Sequence, residues 1–215
     1  MTSSRERRWC FRPMATLGCC AALLGCPSRE GVTVITGTHA TTKDVARWET
    51  SRDGHVHVPL ANGLSWEPST SPPPEDLIKV GAPQGPTFVV AVVIDGAPTP
   101  IARESCAAAH RDRIIVALAS KGIAFTTPQL TGEMRNGERV PRLDYAVPLQ
   151  ASEGVPPASL LSAWSYFVDR DRCIGVNATT MVHGKKDAPE TPDPDDLQRL
   201  ERVFDVVAEG TKITS

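Results

Sequence analysis

The sequence is poor in the signatures by which enzymes are usually recognised. Its 215 residues contain no Gly-x-Ser-x-Gly, no glycine-rich phosphate loop, no Cys-x-x-Cys and no His-Glu-x-x-His. Those absences remove the common nucleophile-elbow, nucleotide, dithiol and zinc-protease readings. No cofactor signature is present either. No apolar run reaches the roughly 20 residues that a helix needs to cross a bilayer, so a permanent transmembrane helix is not expected. Positive charge is not in excess: 23 Lys and Arg stand against 25 Asp and Glu, which argues against a nucleic-acid surface. Internal repeats and long low-complexity tracts are also missing.

What is present begins at the N-terminus. Arg5, Arg7, Arg8 and Arg12 face one acid, Glu6, and residues 14–24 then carry no charge. A basic segment, a short apolar core and small residues at its end are the parts of a secretory signal. The run closes in Leu23-Leu24-Gly25-Cys26, which resembles the lipobox of bacterial lipoproteins. That resemblance implies a diacylglyceryl group on the Cys26 thiol and cleavage just before it. Gly25 fits the pattern and Leu24 departs from it mildly. An ordinary signal peptide cut near the same place is the alternative. Arg7-Arg8 also bears a weak twin-arginine resemblance.

Export organises the remaining chemistry. Cys10, Cys19 and Cys20 leave with residues 1–25 and Cys26 takes the lipid, so Cys106 and Cys173 remain as one pair. In an oxidising compartment the pair reads as a disulfide, with two free thiols as the alternative. The exported 190 residues keep 19 basic and 24 acidic side chains, a net charge near −5. Such a body is expected to face the periplasm or the exterior, lipid-anchored through Cys26 to the cell membrane or outer membrane. Two acyl chains give stable anchoring where one is marginal.

The organisation expected is a signal over 1–25, a mostly irregular tether over 26–53, one α+β domain over 54–210 and a short tail over 211–215. The stretch 32–35 has the composition of a short strand. From residue 55 an alternating strand appears, then a proline-rich loop at 69–76 and a strand at 77–80. Residues 88–94 form an unbroken apolar run suited to a sheet centre. A helix over about 100–121 follows, with Thr99 as cap, Pro100 at its first position and Gly122 at its end. Asn136-Gly137 joins strands 130–135 and 138–147 as a hairpin, with Pro141 marking an edge or a bulge. Strands 163–168 and 173–182 flank the charged turn 169–172. A last helix over about 194–209 opens on Asp193 and buries Leu197, Leu200, Phe204 and Val207.

This order is similar to the PsbP/Mog-like family, in which an antiparallel sheet packs between or against two main helices. The resemblance covers residues 54–209 and rests on residues 88–94 before a helix, Arg142-Leu-Asp-Tyr145, and Trp164-Ser-Tyr-Phe167 beside Arg172-Cys-Ile174. It implies a binding or assembly role and no shared catalytic apparatus.

Candidate sites are few. His55-x-His57 has a spacing that can hold zinc, with His183 or an acid as the third ligand; alternating polar residues on a solvent face explain it equally. Cys106 and His110 stand one helical turn apart, a possible nucleophilic pair unless the disulfide consumes the thiol. Ser105 and Ser120 have no His/Asp context. Asp169, Asp171 and Asp187 are loop acids that could hold calcium, but Arg170 and Arg172 neutralise the first two. Trp66, Tyr145, Trp164 and Tyr166 are candidates to line a pocket or to pack a core. Two readings stand: a membrane-anchored envelope domain that binds a protein partner or ligand, or a metal-binding protein or enzyme whose site is dispersed in sequence.

Overall fold

The computed structural model describes residues 44–69, 76–83, 86–97, 99, 101–135, 137–149, 157–185 and 188–214. The signal, Cys26, the strand expected at 32–35, Pro100, Asn136 and Asp187 lie outside these residues. The chain folds in the order β1 (Val45–Thr50), β2 (Val56–Ala61), β3 (Glu67–Pro68), β4 (Asp76–Ala82), β5 (Thr87–Ile94), α1 (Arg103–Ser120), β6 (Gln129–Arg135), β7 (Glu138–Pro148), β8 (Ala158–Asp169), β9 (Arg172–Lys185), β10 (Ala188–Pro192), α2 (Pro194–Gly210) and β11 (Lys212–Ile213). It is an α+β fold built on antiparallel sheets.

Eight strands form the large sheet, in the order β3-β4-β5-β9-β8-β7-β6, with β10 on β9. A three-stranded sheet, β1-β2-β11, is separate. Cross-strand partners share a face and successive residues alternate, so the register sorts the side chains into two layers. Leu143 pairs with Trp164 on one face, and Arg142 pairs with Ser165 on the other. Helix α1 covers the first face, packing Cys106, Ala107 and Ile114 against Ile94, Leu143, Trp164, Tyr166 and Cys173. Helix α2 covers the second, where it packs against β9 and β8 and also against β2. Leu200, Phe204 and Val207 of α2 are fully buried, as are Val56, Val58 and Leu60 of β2. Each such side chain contributes about 1.5–3 kcal/mol through burial.

Local chemistry explains the boundaries. Asp193 caps α2 by accepting from the Asp195 amide at 2.9 Å, and Pro194 stands at the first helical position. Helix α1 begins at Arg103, later than expected from Thr99 and Pro100. Ser105 sets that start: its hydroxyl accepts from the Ala102 amide at 3.0 Å and donates to the Ala102 carbonyl at 2.8 Å. Gly137, at φ +82°, supplies the left-handed residue of the β6–β7 turn. Gly210 lets the end of α2 approach Pro59, because a Cβ there would lie 2.5 Å from the proline ring.

Three expectations are corrected. Residues 45–50, assigned to the tether, form β1 because they pair with β2 from Val45↔Ala61 to Thr50↔His57. The tail is likewise structured, since Lys212 and Ile213 pair with His57 and Val56. Pro141 marks neither an edge nor a bulge: β7 lies between β6 and β8, and its register past Gly132↔Pro141 is unbroken. Strand β5 lies inside the sheet between β4 and β9, as its apolar run suggests, with one face partly open. Val89 and Ala91 are fully buried, whereas Phe88 is 38% exposed, because α1 packs mainly over β7 and β8.

Candidate functional site

The residues proposed from sequence do not converge. His57 lies on β2 and His55 just before its first residue, yet each is engaged with Thr214. His55 Nδ1 is 2.8 Å from the Thr214 carbonyl oxygen and His57 Nε2 is 3.3 Å from the Thr214 hydroxyl. The other His57 nitrogen is 3.0 Å from the Thr50 hydroxyl. His183 is elsewhere, 3.1 Å from the Asp196 carboxylate, which also accepts the His183 amide at 3.0 Å and binds Arg199 at 2.9 Å. Among the described residues no group of three or more His, Cys, Asp or Glu side chains is arranged to hold a metal ion. Asp169 is paired with Arg172 at 2.6 Å. Ser105 caps α1, and Ser120 donates to the Ala117 carbonyl at 3.0 Å.

The four aromatics also divide. Trp66 donates its indole N–H to the Ala61 carbonyl at 2.8 Å, beside β2. Trp164 and Tyr166 belong to the α1 core, with Tyr145 packed against it. Cys106 and Cys173 are joined as a disulfide with Cα atoms 5.7 Å apart, which ties α1 to β9. Both are buried. The Cys106–His110 nucleophile reading therefore fails, since the thiol is consumed. His110 instead meets the Tyr166 hydroxyl at 2.9 Å and sets its ring edge-on to Trp164 with centroids 4.4 Å apart. Burial, with Arg113 adding, pushes the His110 pKa down to about 4, so the ring is neutral at ordinary pH. Burial likewise drives the Tyr166 hydroxyl well above its usual range.

The densest polar constellation lies on the other face, and sequence reasoning missed it. Arg142 reaches Glu133 at 2.9 Å, Asp144 at 2.8 Å and Glu201 at 2.8 Å. Arg135 reaches the same Glu133 at 2.7 Å, Asp205 at 2.9 Å and Glu209 at 3.3 Å. Both guanidiniums lie over the Phe204 ring, at 4.4 and 5.1 Å from its centroid. The cluster welds β6 and β7 to α2. Its sequence signal is two alternating pairs, Glu133-x-Arg135 and Arg142-x-Asp144, opposite acids at 201, 205 and 209 on one helix stripe. Only the strand register shows that these positions face inward.

Next to the cluster, a cleft of about 360 Å³ opens at the end of α2, lined by Arg103, Arg135, Glu138, Phe167, Glu209 and Ile213 among others. Its two cations are each matched, Arg103 to Glu138 at 3.3 Å and Arg135 to the cluster acids. None of the described helices is long and apolar enough to cross a membrane.

No family model matches the chain. No curated protein matches it either. Among solved structures, the solution structure of the cyanobacterial PsbP of Synechocystis sp. PCC 6803 is similar, with a TM-score of 0.46 and 15% identity over 83% of this chain and 96% of that one. LpqN, involved in cell envelope biogenesis of Mycobacterium tuberculosis, is similar with a TM-score of 0.45 and 12% identity over 79% of this chain and 90% of that one. A Pseudomonas aeruginosa protein of unknown function gives a TM-score of 0.34 and 13% identity over 76% of this chain and 94% of that one.

Proposed function

We propose that the chain is an exported lipoprotein, anchored to a membrane through Cys26, whose domain serves a non-enzymatic role in holding a protein partner at the cell envelope. The observation that carries this reading is the buried Cys106–Cys173 bridge. Disulfides persist in oxidising compartments and are rare where thiols are kept reduced. The basic segment, apolar core and Leu-Leu-Gly-Cys ending at Cys26 supply the route to such a compartment.

The binding role is supported by how the reactive side chains are occupied. The thiols are bridged, His110 is buried against Tyr166 and Trp164, and His55 and His57 hold the C-terminal strand. Glu133, Asp144, Glu201, Asp205 and Glu209 are committed to two arginines. These groups stabilise the layers of the fold.

Intact-mass spectrometry of the protein purified from its native membranes tests the export reading. Expected is residues 26–215 plus the lipid and less the two hydrogens of the bridge. An uncut, unlipidated chain would overturn it. Crosslinking in the same membranes tests the partner: a specific protein adduct is expected, and its absence over several crosslinker lengths would remove the binding role.

A further inference from the structure

The acid-rich cluster between α2 and the sheet sets two guanidiniums among five carboxylates, and those carboxylates are not equally served. Arg142 spreads its donors over three acids: Nη1 reaches Glu133 at 2.9 Å and Glu201 at 3.0 Å, and Nη2 reaches Glu201 at 2.8 Å. Only Nε is left for Asp144, and both Asp144 oxygens share that single N–H, at 2.8 and 2.9 Å. Of the three acids on Arg142, Glu201 takes two N–H donors and Glu133 adds two from Arg135 to the one it takes here, so Asp144 receives the smallest share of the three. A carboxylate left only 17% exposed that shares its cation with two others bears much of the cost of leaving water without the full attraction. A proton on Asp144 relieves that charge and adds a donor to a group of acceptors.

We propose that the cluster is a proton-operated clamp: a proton taken up on Asp144 tightens the seat of α2 on the sheet, and its loss at neutral pH loosens that seat.

The charged groups around Asp144 come from three elements. Strand β6 supplies Glu133 and Arg135, β7 supplies Arg142, and α2 supplies Glu201, Asp205 and Glu209. The neighbouring positions of β8 and β9 on that face are Ala163, Ser165, Val176 and Ala178, and the buried face of β2 is Val56, Val58 and Leu60, so neither adds charge. The Asp144 pKa is accordingly pushed up to about 6 by burial, against the pull of Arg142 and with Glu201 and Glu133 adding to the rise. Asp205 is raised too, burial again leading. Between the unfolded value of 3.8 and about 6, the folded chain holds a proton that the unfolded chain does not. Stability from this group therefore grows as pH falls through 6, is complete below the unfolded value, and is absent above 6. The shift corresponds to about a hundredfold in the folding equilibrium constant.

Carboxyl-carbon NMR of the full chain and urea unfolding of Asp144→Asn together test the clamp. The expected results are a carboxyl resonance titrating near pH 6 that vanishes in the variant, and a variant up to a hundredfold better folded than the wild type at pH 7.5. The two proteins should converge only below pH 3.8, and hydrogen exchange should show α2 amides better protected in the wild type at pH 5 than at pH 7.5. A wild-type midpoint below 4.5, or a stability difference that does not change with pH, overturns the proposal. Should Asp144→Asn fail to fold, Glu201→Gln removes one competitor for Arg142 and should lower the Asp144 midpoint by at least half a unit; an unmoved midpoint overturns the clamp equally.

Discussion

Replacing His110 by Gln should change the response of the domain to acid in a direction opposite to that of Asp144→Asn. The imidazole is 8% exposed, touches the Tyr166 hydroxyl at 2.9 Å and stacks edge-on against Trp164. Burial holds it neutral, with its pKa lowered from 6.5 to about 4. The unfolded chain therefore binds a proton between those values that the folded chain refuses. Stability from His110 is intact above 6.5 and is lost as pH falls towards 4. At about 1.4 kcal/mol per pKa unit, the loss across the window approaches 3 kcal/mol. The rise at Asp144 has nearly the same size and the opposite sign, so these two contributions nearly cancel from pH 6.5 to 4. Gln keeps a neutral polar group near Tyr166 and removes the titration. At pH 7.5 it should cost about 1 kcal/mol through the lost ring contact. On acidification to pH 4 the variant should then gain about 3 kcal/mol, relative to the wild type, in urea unfolding followed by tryptophan fluorescence. Parallel curves for the two proteins would refute the assignment of a buried neutral histidine.

Other perturbations act on packing and connectivity. Replacing Cys106 and Cys173 by Ser opens a loop of 67 residues and should cost about 4 kcal/mol on the chain-entropy model, read as a fall in urea midpoint that reductant reproduces in the wild type. Phe204→Ala removes a fully buried ring beneath two guanidiniums and should cost about 4 kcal/mol; a loss under 1 kcal/mol would mean the cluster does not lean on it. Gly137→Val forces a β-branched residue to φ +82° and should cost at least about 1 kcal/mol in the same assay; unchanged stability would discredit the turn.

Much of the fold was legible because its signals are local. The Asn-Gly pair with flanking strands, the Asp193-Pro194 opening of α2 and the stripe of Leu200, Phe204 and Val207 each state their structure within a few residues. The Cys106–Cys173 bridge was legible by elimination once the other four cysteines were assigned to the signal and the lipid. What failed depended on distant partners. Strand β1 is exposed along most of its length and has no strong strand pattern of its own; it exists because β2 pairs with it. The opening in front of Phe88 depends on where α1 crosses the sheet. Pro141 was misread because a proline inside a sheet usually marks an edge, whereas here the strand continues in register on both sides. The ionic cluster was hidden for the same reason, since charged residues on strands ordinarily face water. Nothing in 133–144 alone says that this alternation points inward.

The two faces of the large sheet are therefore closed by unlike means, and this has a physical consequence. Helix α1 is held by a covalent bridge and an apolar core in which the His110 ring is kept neutral. Helix α2 is held by a buried stripe that includes Leu200, Phe204 and Val207 and, against β6 and β7, by ions that share two guanidiniums over the Phe204 ring. A reductant acts on the first seat and leaves the ions of the second untouched. A proton near pH 6 favours the second and, through the unfolded chain, weakens the standing of the first. Because the His110 and Asp144 contributions nearly cancel, a whole-molecule stability measurement on the wild type alone would see little of either. Single-site variants or residue-level exchange are needed to separate them. The two readouts must then agree on which helix responds: protection gained on acidification belongs to α2 and its strands, and protection lost belongs to the layer beneath α1.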